Sequence, residues 1–172
     1  MRYLYTLKIK IFKKMEKHFQ ILSESETDTK NIAKTIAPVF KMGDLLILEG
    51  DLGAGKTHFV KGFADGINSQ NVVTSPTFSI ANFYKSPAIT LLHIDLYRID
   101  SLNEFYDLGL IDYFGQSVTM IEWGMKFEDY VEGFLLITIE IRDDNSRSIS
   151  FTGKGENYNS IINSIEDILT KK

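Results

Sequence analysis

At 172 residues, 44% hydrophobic and 24% charged, with no cysteine, the chain is sized for one core and excludes disulfides, thiolate metal sites and a cysteine nucleophile. No apolar run approaches the roughly 18 residues that a membrane helix needs. The net charge of −4 is unevenly spread: five of the 19 basic residues fall in 1–14, which leaves 14 bases against 23 acids, an acidic body poorly suited to gripping nucleic acid by itself.

Residues 1–14 carry Arg2, Lys8, Lys10, Lys13 and Lys14 and no acid. Their apolar stretch is too short for a secretory signal and no small-residue cleavage site follows it. Met15 offers a second start, so 1–14 reads as a basic extension and 15–172 as a single domain. Phe19–Leu22 predicts a strand. Ser25 and Asp28 are spaced like a variant capping box, and Ile32, Ala33, Ile36 and Ala37 recur at helical spacing up to Pro38.

The strongest signal follows. Leu45-Leu46-Ile47-Leu48 is a buried-type strand that runs into Gly50-Asp51-Leu52-Gly53-Ala54-Gly55-Lys56-Thr57, and a helical run opens after it. Strand, Gly-x-x-x-x-Gly-Lys-Thr and helix, in that order, spell a phosphate-binding P-loop. Glycine permits the left-handed backbone that aims N–H groups at phosphate oxygens, and the helix start adds its positive dipole end. Lys56 would bridge β- and γ-phosphates, and the Thr57 hydroxyl would ligate Mg²⁺.

Residues 65–69 read as a loop, and Thr74-Ser75-Pro76-Thr77-Phe78 as either an ordinary turn or a switch that senses the γ-phosphate. Phe78–Tyr84 and Ile89–Asp95 predict a hairpin. Ser101 and Glu104 form a capping box for a short helix that Gly109 ends. Val118–Glu122 predicts a buried strand, 134–141 and 146–152 a C-terminal hairpin, and Ile161, Ile162, Ile165, Ile168 and Leu169 the docking stripe of a last helix. The pattern is α/β: a P-loop NTPase-like, mostly parallel central sheet flanked by helices, with a C-terminal antiparallel hairpin.

Asp95 and Glu122 each end an apolar strand, where a carboxylate is costly to bury unless paired or metal-bound. Ligands of such sheets sit at the strands' carboxyl ends, where the glycine loop and both acids fall. Trp123, beside Glu122, reads as core packing or as a residue facing nucleotide or partner. His18, His58 and His93 lack metal-ligand spacing and read as structural or solvated. No Asn-Lys-x-Asp element reads guanine, and four arginines with no Arg-rich lid fit a small-molecule or nucleoside kinase poorly. A modest ATPase, or a nucleotide-gated adaptor with negligible hydrolysis, remains.

The run 49–57, Ser75-Pro76-Thr77-Phe78, His93-Ile94-Asp95-Leu96-Tyr97-Arg98 and Ile121-Glu122-Trp123 together resemble the TsaE (YjeE) family over about residues 15–153. That family is the bacterial ATPase of tRNA threonylcarbamoyladenosine biosynthesis. The resemblance implies a cytoplasmic accessory subunit that binds the TsaD–TsaB heterodimer, meets tRNA only through that complex, and hydrolyses ATP to reset it. It further implies that Gly53, Ala54, Gly55, Lys56, Thr57 and His58 hold the phosphates, and that Thr57 and Glu122 ligate Mg²⁺. Asp95 matches the family's Walker B-like acid, and Glu26 matches a segment near the nucleotide base. A weaker correspondence puts 145–147 beside the nucleotide. His58 departs from the second Thr or Ser usual after Lys-Thr, which is tolerable if only its backbone N–H is used.

Overall fold

The structure, a computed structural model, describes residues 16–76, 79–142 and 144–171. The basic extension 1–14, Met15 as its alternative end, and Thr77-Phe78 of the hydroxyl-rich loop lie outside the described residues.

Strand β1 (His18–Ser23) leads into helix α1 (Glu26–Ile36). Ser25 caps α1 by accepting the Asp28 N–H at 3.1 Å, and the Asp28 carboxylate accepts the Glu24 N–H at 3.1 Å. The reciprocal pair satisfies donors that the helix start would otherwise orphan. Pro38 sits in a 3₁₀ turn (Ala37–Val39), and Gly43 (φ 94°) turns the chain into β2 (Leu45–Glu49). Helix α2 (Lys56–Gly66) follows the glycine loop, extending two residues, Asp65 and Gly66, into the segment expected as loop.

Strands β3 (Ala81–Lys85) and β4 (Thr90–Asp95) form the expected hairpin, closed by the Ser86 N–H bonding the Ile89 carbonyl. The strand expected from Phe78 starts only at Ala81, because the Ile80 N–H turns back to the Pro76 carbonyl at 2.7 Å and Ile80 takes φ 65°. Helix α3 (Leu102–Asp107) is capped by Ser101 and stops at Gly109 (φ 63°). Two 3₁₀ segments absent from the sequence reading, Leu110–Gln116 and Gly124–Tyr130, flank β5 (Val118–Glu122). Strands β6 (Phe134–Ile141) and β7 (Arg147–Lys154) pair antiparallel, and α4 (Glu156–Thr170) closes the chain.

The seven strands form one sheet in the order β1-β7-β6-β2-β5-β4-β3. Its centre, β6-β2-β5-β4, is parallel, and both rims are antiparallel. Side chains alternate across β2. Leu46 and Leu48 join Phe59 and Phe63 of α2, Ile32 and Ile36 of α1, and Ile162 and Ile165 of α4 on one face. Leu45 and Ile47 meet Ile94, Phe105 and Phe127 on the other. A parallel strand buried on both faces is why 45–48 is uniformly apolar. The central position of β2 delivers the glycine loop to the middle of the sheet's carboxyl edge.

Candidate nucleotide site

Three parallel strands end side by side at Glu49, Asp95 and Glu122. The register pairs Leu48 with Glu122 and Asp95 with Glu122, so the loop and both acids emerge together. They line a cleft of about 360 Å³ formed by Glu26, Leu52, Gly53, Gly55, Lys56, Thr57, His58, Ser75, Asp95, Tyr97, Glu122 and Trp123. The expectations drawn from the sequence converge here, with one exception. The Ala54 side chain is packed into the core, and its N–H bonds the Asp51 carbonyl at 3.1 Å.

The glycines have concrete work in this loop. Gly50 lies at φ 143°, and a Cβ there would stand 2.3 Å from the Ile139 carbonyl oxygen, so β6 presses directly on the loop's entry. Gly55 takes φ 114° as the residue that caps α2, a left-handed conformation that a side chain would strain. Lys56, only 6% exposed, donates from Nζ to the Gly50 carbonyl (2.6 Å) and the Asp51 carbonyl (3.1 Å). The same ammonium stands 4.5 Å from the Trp123 ring centroid. A buried ammonium requires such partners.

Trp123 holds a left-handed backbone (φ 61°) that carries its ring round to Lys56 and to Tyr97, 5.5 Å away. It lines the cleft and also packs against the core cluster of Ile94, Phe105 and Phe127, so both positions left open by the sequence are occupied. Asp95 is 7% exposed and its Oδ1 accepts the Tyr97 N–H at 2.9 Å. Glu122 is 5% exposed and its Oε1 lies 2.9 Å from His93 Nε2. At the rim, Glu26 reaches His58 Nε2 at 3.3 Å and Arg147 Nη2 at 3.7 Å. Residue 147 therefore does approach the site, across a chain separation that periodicity could not bridge. Glu26 is more than half exposed, so these ion pairs position the rim more than they stabilise the fold.

Sequence reasoning gave no role to two participants, Tyr97 and Leu52, which carry no chemical signature. Glu49 does not line the cleft, and its Oε1 accepts the Met125 N–H at 3.1 Å. Burial raises the Glu49 pKa above its ordinary 4.5, opposed by that hydrogen bond and by Lys56 and Lys126.

Where the glycine loop meets the strand ends, the oxygen donors of the cleft are the Thr57 hydroxyl and the Asp95 and Glu122 carboxylates, with Glu26, Ser75 and Tyr97 elsewhere in its lining. Among the described residues no group of three or more His, Cys, Asp or Glu forms a cage for a metal ion. That donor set suits Mg²⁺, which is held by one or two carboxylates together with substrate phosphates and retained waters. No helix among the described residues is long and apolar enough to cross a membrane.

The chain is similar to known proteins over most of its length. A family profile, "Threonylcarbamoyl adenosine biosynthesis protein TsaE", matches residues 23–149. A tRNA threonylcarbamoyladenosine biosynthesis protein TsaE from Bacillus subtilis is 46% identical over 133 residues, 76% of this chain and 83% of the relative. The protein of the same name from Rickettsia bellii is 35% identical over 137 residues, 78% and 95% of the two chains. The crystal structure of Bacillus subtilis YdiB superposes with a TM-score of 0.77 at 36% identity, covering 89% of this chain and 97% of that one. With the glycine loop, the two strand-end acids and the sheet order in place, the chain belongs to the TsaE family of threonylcarbamoyladenosine biosynthesis.

Proposed function

We propose that this chain is an Mg²⁺-dependent ATPase that serves as accessory subunit to the TsaD–TsaB complex, the machinery that transfers threonylcarbamoyl to adenosine 37 of tRNAs reading A-starting codons. The observation that carries the reading is the single cleft uniting Gly53, Gly55, Lys56, Thr57, Asp95 and Glu122. Backbone N–H groups of Gly53 and of 55–58, at the start of α2, would cradle the ATP phosphates. Lys56 would exchange the Gly50 and Asp51 carbonyls for β- and γ-phosphate oxygens, a short swing of a flexible side chain from partners it already holds. Thr57 and Glu122 would hold Mg²⁺, with Asp95 as the second carboxylate beside it. When bound there, Mg²⁺ supplies neutralisation of the charge that develops on the phosphoryl group. Glu26 and His58 would form the rim nearest the base, while Trp123 and Tyr97 line the cleft's aromatic side.

One feature supports hydrolysis over phosphoryl transfer to a small molecule. Among the described residues no arginine lines the cleft, and Arg147 reaches its rim through Glu26, short of the several-arginine clamp typical of a kinase lid. The acidic body fits contact with tRNA through partner proteins, and the absence of cysteine fits work in the cytoplasm. Co-purification of the full chain with TsaD and TsaB in ATP and in ADP, read alongside phosphate release, tests the reading. Nucleotide-dependent capture with phosphate release is expected. Capture with no release would convert the chain to a nucleotide-gated adaptor, and a phosphorylated acceptor in place of phosphate would make it a kinase.

A further inference from the structure

His93, which reads from the sequence as structural or solvated, is completely buried. It stands on β4 two residues before Asp95 and on the same face, opposite Met120 of β5. Its Nε2 lies 2.9 Å from Glu122 Oε1, while Nδ1 has no hydrogen-bond partner. This asymmetry assigns the proton. With hydrogen on Nε2, the ring donates to the carboxylate and leaves only a lone pair unpartnered. With hydrogen on Nδ1, a donor would be buried unsatisfied while a bare nitrogen faced a carboxylate oxygen, the costlier arrangement.

The ring's orientation is fixed from outside as well. Tyr84 packs beside it at 6.3 Å between centroids and an interplanar angle of 36°. Tyr84 is itself anchored, its hydroxyl donating to the Thr74 carbonyl at 2.8 Å, next to Ser75 at the cleft wall. Glu122 and Asp95 are direct cross-strand neighbours, and two carboxylates that close repel one another. A donor locked on Oε1 offsets that repulsion and fixes the carboxylate's rotation, which leaves Oε2 for the cleft.

We propose that His93 is the positioning residue of Glu122, donating from Nε2 to Oε1 so that the other carboxylate oxygen is presented to Mg²⁺. The proposal rests on the reading of Glu122 as a metal ligand. It is a hydrogen bond of the kind by which outer partners orient metal-binding carboxylates, whose loss typically costs about 10- to 100-fold in metal affinity or activity.

The test is direct binding of Mn²⁺ in the presence of ADP, read from the electron paramagnetic resonance signal of free manganese, on the full chain. His93→Leu keeps an apolar filling and removes the donor, and it should weaken Mn²⁺ binding about tenfold or more. His93→Gln places an amide N–H near the position of Nε2 and should stay within about threefold of wild type. His93→Asn reaches only the position of Nδ1 and should behave like His93→Leu, which keeps the test open if the leucine variant fails to fold. Mn²⁺ affinity unchanged in a folded His93→Leu or His93→Asn overturns the proposal, as does a loss in His93→Gln equal to theirs. Glu122→Gln separates the two readings. If it weakens Mn²⁺ binding while the His93 variants do not, His93 is packing alone and Glu122 remains the ligand. If Glu122→Gln leaves Mn²⁺ binding unchanged, the ligand assignment itself is wrong.

Discussion

Lys56 is held on two sides, by the Gly50 and Asp51 carbonyls and by the Trp123 ring, in a setting where a free ammonium would be costly. Lys56→Ala should therefore weaken ATP binding without unfolding the chain, since the loop's shape comes from its glycines and the helix start. Isothermal titration with ATP beside thermal unfolding checks this, and the expected loss is about 100-fold, the scale set by removal of one strong charge-stabilising donor. Glu49, one residue before the loop, gives a pH signature. Burial raises its folded pKa above 4.5, so the folded state binds the proton more tightly than the unfolded chain. Its contribution thus disfavours folding increasingly as pH rises from about its unfolded value through the raised one, and the cost is complete above the latter. Glu49→Gln lacks that titration and can keep an oxygen for the Met125 N–H. Relative to wild type it should gain stability between pH 4 and pH 7, measured by urea unfolding at each pH. An equal difference between the two proteins at both pH values would contradict the assignment.

At the scale of elements, α1 and α2 approach so closely that two glycines become necessary. A Cβ at Gly62 would stand 2.0 Å from the Lys30 carbonyl oxygen, and one at Gly66 would stand 2.5 Å from that of Lys34. The two positions are four apart on each helix, so they form one contact line along which the backbones nearly touch. This line clamps α1 onto α2 and brings Glu26 to His58 at the cleft rim. Gly62→Ala should cost about 1–3 kcal/mol through overpacking and lower the melting temperature by several degrees, read by calorimetry. Ser25→Ala removes the cap of α1 and should cost about 1 kcal/mol by the same measurement. The two differ in legibility. The capping box at Ser25, the periodicity of Ile32 to Ala37 and the stop at Pro38 are local patterns, and each could be read from the chain alone. The need for glycine at 62 and 66 left no mark in the sequence, because its reason lies on another helix. The late start of β3 was hidden likewise, since the Ile80 turn depends on a bond to Pro76 that no alternation of residues records.

At the scale of the whole molecule, β2 in the middle of the sheet sets the function and the antiparallel rims frame it. The parallel centre follows from three apolar strands with acids or glycines at their carboxyl ends, which is why the fold class and the placing of 50–57, Asp95 and Glu122 were legible early. The pairing of β1 with β7, His18 facing Thr152, was not, because strand partners so distant in sequence leave no local mark. Nor was the convergence of Arg147 and Glu26, which needs β7 folded back beside the first helix. His93 shows the same limit within the site: without metal-ligand spacing it reads as structural or solvated, and only the tertiary neighbour Glu122 gives it chemistry. Every role proposed for these residues depends on hydrolysis at this cleft. Single-turnover phosphate release from ATP by the full chain, alone and with TsaD–TsaB, should be measurable for wild type, faster with the complex, and reduced about 100-fold or more in both Lys56→Ala and Glu122→Gln. Release at the wild-type rate in either variant, with or without the complex, would contradict it.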